Sequence, residues 1–484
     1  MAAPKSSRST ERSPAGATSQ LVTILSAFLA ERLTPTLVPG MVSRTVPGTV
    51  SRSLQNSRLC VALSGGRDSL VLLHALSGLV SSTGLPVILT AVHVHHGMSP
   101  NADAWAGFCA EFCRRYAVPL DIVRVEVPRD SGEGLEAAAR RVRHAVFAEC
   151  AADWLALAHH RDDQAETVLL NMLRGAGITG AAGMLAERPQ VYGPALIRPL
   201  LNVPGSLLEA HAVEQALCWI EDESNDEVHY RRNYLRRQVM PQLENKFPDA
   251  HKALARAASH FAEGSLQLDE LAAIDRAALT TAAGRISLIG FNALAPARAR
   301  NLLRFAWLAE GFRAPDACWI DQALRQLATT GALSETCLAT SDGELHVYRG
   351  ELHIVGHYPE TPVEPRLWAG ELDLPWAGGR ILLVPMSGSG IRRDLLFAEK
   401  VSIGSRQGGE RLQPDARRPR RSLRNLLQEA AVPPWERVRL PLLWCGDLLA
   451  WVGGIGVDTG FACIPGEAGL MPVWEANYRP AASR

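Results

Sequence analysis

The sequence predicts an α/β protein: a doubly wound parallel sheet in its first half, then a small helical domain and a C-terminal α+β domain. Three observations carry this. Between residues 59 and 174 apolar runs of strand length alternate with runs of helix length, the pattern of a parallel sheet covered by helices on both faces. From about 250 to 328 the pattern is mostly helical. Beyond 365, short strand patterns bounded by Gly and Pro return.

Residues 1–56 are poor in acids and rich in Ser, Thr, Arg and Pro, and read as a disordered bacterial extension rather than a transit peptide. Within it, residues 21–33 suit a short amphipathic helix. The first domain, 57–250, has candidate strands at 59–63, 87–93, 122–127 and 154–159. Its candidate helices are 68–80, 102–116, 135–151 and 162–174. In open sheets of this kind ligands sit beyond the carboxyl ends of the strands. The chemistry is therefore expected at 64–69, 93–97 and 159–166. A helical domain over 251–356, a Pro-containing linker over 357–370 and a last domain over 371–484 complete the division. A chain of 484 residues needs several cores, because single cores stop growing near 250 to 300 residues.

Lys plus Arg and Asp plus Glu both number 50, so a nucleic-acid surface must come from local clustering. The nine cysteines contain no CxxC pair, which argues against a zinc or iron–sulfur centre and suits a reducing cytosol. No apolar run reaches about 18 residues, so no membrane span is expected.

The most informative segment is Ser64-Gly65-Gly66-Arg67-Asp68-Ser69, a Gly-rich turn between an apolar strand and a helix start. Such a turn concentrates backbone N–H groups and the positive end of a helix dipole where a phosphate can dock. It lacks the GxxxxGK pattern of the common phosphate loop. At the fourth strand end, Asp163 and Glu166 stand three apart at a helix start, on one face, and can hold an ammonium group or a nucleotide-bound magnesium. They also suit a helix dipole, as helix-start acids commonly do. His159-His160 and Asp162-Asp163 have metal-ligand types without a zinc-binding helical spacing. Arg140 or Arg143, on a strongly helix-forming stretch, offers a fork for a phosphate or is a solvated helix face. Arg231, Arg232, Arg236 and Arg237 interleave with Tyr230 and Tyr234, a pattern that suits single-stranded bases and their backbone. A second basic run, 417–424, includes Arg420, Arg421 and Arg424.

The SGGRDS turn resembles the SGGxDS signature of the PP-loop ATP pyrophosphatases. Together with 93–98, 136–143, HHRDDQAETVLLNMLRGAG (159–177) and WIEDESNDEVHYRRNYLRRQVMP (219–241), it resembles the tRNA(Ile)-lysidine synthase family. A weaker likeness continues over RSLRNLLQEAAVPPWERVRLP (421–441), while 256–360 is less recognisable. Met98 departs from the leucine often found there, a volume-conserving change. The resemblance implies a cytoplasmic ligase that uses ATP and Mg2+ to join L-lysine to the wobble cytidine of a CAU-anticodon tRNA(Ile). It implies nucleotide binding at Ser64, Gly65, Gly66, Arg67, Asp68 and Ser69, with magnesium on Asp68. It further implies Arg140 beside the adenylate, Asp163 and Glu166 for the lysine amine with His160 as helper, and the two arginine clusters for tRNA. The 251–356 domain would then bind substrate and the last domain tRNA. Other readings are a PP-loop tRNA thiolase, which needs a sulfur-carrying cysteine pair near the loop, an amidotransferase-type synthetase, which needs an ammonia-producing domain, and a nucleotide-ordered RNA-binding protein without catalysis.

Overall fold

The computed structural model describes residues 16–33, 57–128, 134–190, 193–221, 231–331, 336–357 and 364–476. The chain forms two compact units, 1–273 and 274–484.

In the first unit, α1 (Ala17–Leu33) precedes an alternating series: β1 (Ser57–Ala62), α2 (Arg67–Thr83), β2 (Val87–His95), α3 (Ala102–Arg115), β3 (Leu120–Arg124), α4 (Leu135–Glu149), β4 (Trp154–Ala156) and α5 (Arg161–Leu173). There follow α6 (Ile178–Ala181), β5 (Glu187–Arg188), β6 (Ala195–Ile197) and α7 (Gly205–Glu214). The sheet order is β3-β2-β1-β4-β6-β5, parallel except for β5 at the edge. Val61 lies opposite Ala91 on one side and Ala156 on the other. The period-two alternation of β1 sends Leu59 and Val61 to one core and Cys60 to a second, so both faces are covered. Successive crossovers run one way from β1 to β2 and β3, and the other way to β4. The crevice at that reversal lies just beyond Ala62 and Ala156, where the two polar segments begin.

The extension expected over 1–56 needs correction. Leu21, Leu25 and Leu29 of α1 are 0, 0 and 1 % exposed and belong to the main core. Spaced by four, they form one helical stripe that packs on α2 and α7. The Thr18 N–H donates to Glu214 (3.1 Å), and Gln215 Nε2 donates to Thr18 Oγ1 (2.9 Å), which fixes the start of the helix. The Ser- and Pro-rich flanks, which lie outside the described residues, dominated the composition of this stretch. Leu25→Ala is expected to cost about 2–5 kcal/mol, as for other buried leucines. An unchanged denaturation midpoint would show that α1 adds nothing to the fold.

Beyond α7, α8 (Arg231–Tyr234), a π-helical turn (Leu235–Val239) and α9 (Met240–Lys246) form one helical run. It leads to α10 (Ala250–Leu279), which continues into the second unit. There, β7 (Ile286–Ser287), α11 (Leu288–Asn292), α12 (Pro296–Ala309), α13 (Ala317–Thr329), β8 (Thr336–Ala339), β9 (Gly343–Tyr348) and β10 (Glu351–Gly356) build an antiparallel sheet ordered β7-β10-β9-β8, with helices on one face. The domain expected to be helical is thus α+β. Its strands alternate, with Leu345 and Val347 in the core while His346 and Tyr348 point away from it.

The last domain begins earlier than the expected 371, because β11 (Arg366–Leu367) pairs with a strand of its sheet and Trp368 joins its core. Its order is β12 (Asp373–Trp376), β13 (Gly379–Ser387), β14 (Ile391–Arg392), α14 (Arg393–Ala398), β15 (Val401–Gly404), β16 (Arg411–Leu412), β17 (Arg421–Ser422), α15 (Leu423–Glu429), α16 (Pro434–Arg437), β18 (Leu442–Cys445), β19 (Leu448–Val452), β20 (Gly456–Val457) and β21 (Ala468–Glu475). Two antiparallel sheets, β11-β15-β18-β19-β20 and β12-β13-β21-β14, share a core around Trp376, Ile403 and Trp451.

Candidate active site

The loop after β1 is held by its own serines. The Ser64 N–H donates to Ser69 Oγ (3.3 Å), Ser64 Oγ accepts from the Gly66 N–H (3.3 Å), and Ser69 Oγ donates to the Gly66 carbonyl (2.9 Å). Gly65 has φ +88°, and a Cβ there would come within 2.5 Å of Ile220, whose N–H donates to the Gly65 carbonyl. Only glycine meets both demands. Gly66 is the N-cap of α2, and no side chain caps the helix. The first amides of α2 and the positive end of its dipole are thus available to an anion.

The start of α5 is closed by contrast. His160 is its N-cap: Nδ1 accepts from the Asp162 N–H (3.3 Å), and Asp163 Oδ2 accepts from the His160 N–H (3.1 Å). The Gly205 N–H donates to Asp162 (3.2 Å). His160 Nε2 then lies 3.5 Å from both Asp68 Oδ2 and Asp163 Oδ2, which joins the two strand-end motifs into one site. Burial opposes charge on His160, but its hydrogen bond to Asp68 and the carboxylates of Asp163, Asp68 and Asp162 raise its pKa above the ordinary value. Burial likewise works to raise the Asp68 carboxyl, yet His160 and then Arg67, whose Nε donates to Asp68 Oδ1 (3.0 Å), hold it below the usual carboxylate range.

Two of the arginines expected to face RNA, Arg232 and Arg236, pair with the two acids of α5. Arg232 donates to Asp163 Oδ1 (3.0 Å) and Glu166 Oε2 (3.2 Å). Arg236 donates to Glu166 Oε1 (2.6 Å), Glu166 Oε2 (3.0 Å) and Asp163 Oδ1 (2.8 Å). The Glu166 side chain is 2 % exposed, and buried carboxylates require such partners. Their spacing of four places Arg232 and Arg236 on one helical face; Arg232 is half-buried, while Arg236, for all its carboxylate contacts, is exposed like Arg231 and Arg237. Asp163 and Glu166 thus share one face, and in this conformation two guanidinium groups pair with them. Tyr230 lies outside the described residues.

Two further groups lie close by: His159, which the sequence marks only as a possible ligand type, and Arg198, which it does not mark. His159 is pushed down to about 3, chiefly by burial, with Asp163 opposing and Arg198, Arg232 and Arg140 adding; its Nδ1 is buried without a partner among the described residues. Arg198 is buried, donates to the Leu185 carbonyl (2.7 Å), and is lowered to about 10 by burial and by the charges of Arg188 and Arg140. Arg140 itself is exposed on α4, with its charge reaching His159. Cys109 and Cys113, beneath the loop, are buried and pushed up to about 12 and about 11. Thiols so held are poor nucleophiles.

Residues 42–243 match the PP-loop domain family, 286–353 the TilS substrate binding domain and 401–474 the TilS substrate C-terminal domain. The tRNA(Ile)-lysidine synthase of Nitrosomonas europaea is 43 % identical over 426 residues, spanning 87 % of this chain and 92 % of that protein. That of Aromatoleum aromaticum is 44 % identical over 420 residues, 86 % of this chain and 97 % of that protein. The chain belongs to the tRNA(Ile)-lysidine synthase family.

The second basic cluster of this lysidine synthase family member is also partly committed to its own fold. Arg420 Nη2 donates to Asp458 Oδ1 (2.8 Å), and Asp458 is 0 % exposed and also accepts the Gln413 and Gly460 N–H groups. Arg421 Nη1 donates to Glu429 (2.7 Å), whereas Arg424 stands exposed on α15. Two of the three arginines expected to face RNA thus have carboxylate partners within the fold, one of them buried. Arg420→Glu is expected to unfold or strongly destabilise the last domain. Arg424→Glu should leave the fold intact and, if it contacts a phosphate, lower the salt slope of tRNA binding by roughly 0.7 to 0.9. An unchanged slope in a salt titration would remove Arg424 from the RNA surface.

Proposed function

We infer that the protein ligates L-lysine to C2 of the wobble cytidine of CAU-anticodon tRNA(Ile), with ATP converted to AMP and pyrophosphate. The observation that carries this is the meeting, at the sheet's switch point, of the uncapped Gly-rich start of α2 with the buried cation site of Asp163 and Glu166. One binds a polyphosphate and the other an ammonium group, the two charges that the reaction brings together. The cytidine O2 attacks the α-phosphorus, breaking its bond to the pyrophosphate oxygen. The lysine ε-amine then attacks C2 and loses a proton, and the C2–oxygen bond breaks to release AMP.

Ser64, Gly65, Gly66, Arg67 and Ser69 would seat the phosphates. Asp68, held ionised at the mouth of this loop, fits one of the one or two carboxylates that nucleotide-bound magnesium takes from a protein. Magnesium held there would neutralise charge on the phosphates. Arg140, exposed on α4, would counter charge on the adenylate. At pH 7 about one lysine amine in a few thousand is unprotonated, so orientation and proton acceptance matter. Asp163 and Glu166 would orient the amine, with His160 relaying charge between them and Asp68. Since Arg232 and Arg236 occupy these carboxylates, lysine must displace them, and the RNA phosphates are suitable receivers for the released guanidinium groups. Among the described residues no helix is long and apolar enough to cross a membrane. We place the enzyme in the cytosol because its tRNA substrate is there. Mass analysis of tRNA(Ile) after incubation with ATP and lysine tests the reading. A nucleoside gaining one lysine, dependent on both substrates, is expected, and ATP-dependent RNA binding without that gain would replace it by the non-catalytic alternative.

A further inference from the structure

The β8–β9–β10 sheet of the second unit carries a row of metal-binding side chains on the face turned away from its core. Leu338, Leu345, Val347 and Leu352 point into the core. The register sets Cys337 opposite His346, and His346 opposite His353, so these three stand in line across three strands. Glu344, two residues before His346, shares their face. Cys337 Sγ lies 3.7 Å from His346 Nε2, and His346 Nε2 lies 2.7 Å from Glu344 Oε2. One donor from each of the three residues lies within 4.8 Å of the others. Ligands at the usual zinc distances of about 2.0–2.3 Å sit roughly 3.3–3.8 Å from one another in a tetrahedron, so little movement separates this cluster from a coordination shell.

The surroundings supply what such a site needs. Glu344 Oε1 is 3.0 Å from His357 Nδ1, and His357 Nε2 is 2.7 Å from the Thr340 carbonyl, an arrangement that fixes the carboxylate and leaves Oε2 for a ligand. His353, 6 % exposed, has both ring nitrogens buried with no partner among the described residues. A buried group left without a partner is costly to the fold. The His346 ring also stacks on Trp435 of α16 (centroids 4.1 Å apart, planes at 22°), and Trp435 meets His353 edge-on at 5.2 Å.

We propose that Cys337, Glu344 and His346 bind one divalent transition-metal cation of the zinc class, with solvent in the fourth position at the exposed Cys337 edge. Thiolate, imidazole and carboxylate together suit zinc better than magnesium or calcium. Its role is structural: it would hold the His346 ring against Trp435, and so tie this sheet to α16 of the last domain. Binding replaces the Cys337 thiol proton, which is released to solvent.

The test uses the reduced, chelator-treated full-length protein titrated with Zn2+ in competition with a chromophoric chelator, and with Co2+ as a spectroscopic probe. One equivalent is expected to bind, with release of a proton and a sulfur-to-cobalt charge-transfer band. Cys337→Ser, at an exposed edge where folding is not at stake, should lose that band and weaken zinc by at least about tenfold. Cys218→Ser and Cys318→Ser, at other exposed cysteines, should retain both. His357→Gln should weaken zinc about tenfold and keep the band. Failure of the wild-type protein to take up one equivalent, or zinc affinity and a cobalt band unchanged in Cys337→Ser, would reduce the cluster to a hydrogen-bonded row.

Discussion

Asp68→Asn is expected to lower AMP formation by at least about a hundredfold, the scale on which removal of a single charge-stabilising group acts. Its Oδ2 is 3.5 Å from His160 Nε2 and its Oδ1 takes the Arg67 Nε–H, so the asparagine keeps shape while losing charge at the mouth of the loop. The side chain is one-third exposed and contributes little to the core, so folding should survive. A second readout is independent of turnover. One of the carboxylates that raise the His160 pKa is gone, so a histidine titration followed by NMR should show that pKa falling. A folded variant with near-normal AMP production would exclude Asp68 from the nucleotide site.

Glu166→Gln should act on lysine rather than ATP. In the parent it accepts from both Arg232 and Arg236, and it is the more deeply buried of the two acids. Its neutral replacement removes half of the cation site, so the lysine KM should rise at least tenfold while that for ATP changes little. Stability should also fall, by about 1–3 kcal/mol, because two guanidinium groups lose a buried partner while remaining partly open to solvent. Combining Glu166→Gln with Arg236→Gln separates the two effects: stability should recover, and lysine binding should not. Recovery of both, or an unchanged lysine KM in the single variant, would make the cluster a structural ion pair and move the lysine site elsewhere.

The chemistry of the loop was legible because it is contiguous: two glycines, two serines and an aspartate in six residues encode a turn, an open helix end and a carboxylate together. The four principal strands and their helices were legible for a similar reason, since each periodicity is local. What decides the site's electrostatics is not local. Arg232 and Arg236 reach carboxylates more than sixty residues earlier, and Arg420 reaches Asp458 thirty-eight residues later. A row of arginines reads the same whether it faces RNA or a buried acid, and only tertiary packing separates the two. The β8–β10 sheet was hidden for another reason, because its short alternating strands follow a long helical stretch whose pattern dominates the window. The earlier start of the last domain rests on Trp368, a single residue whose burial no periodicity announces.

The leucine stripe of α1 bears on how this enzyme can be dissected. The PP-loop match starts at residue 42, which invites a fragment begun there. Such a fragment would discard the helix that covers α2 and α7 and bare the surface on which Leu21, Leu25 and Leu29 rest. Newly uncovered apolar surface of this kind drives self-association, so an isolated catalytic half would precipitate for reasons unrelated to its chemistry. Supplied as a separate peptide, residues 16–33 would be a cheap solubilising partner, and the ends of a workable fragment are set by what the first helix covers rather than by where the recognisable motifs begin.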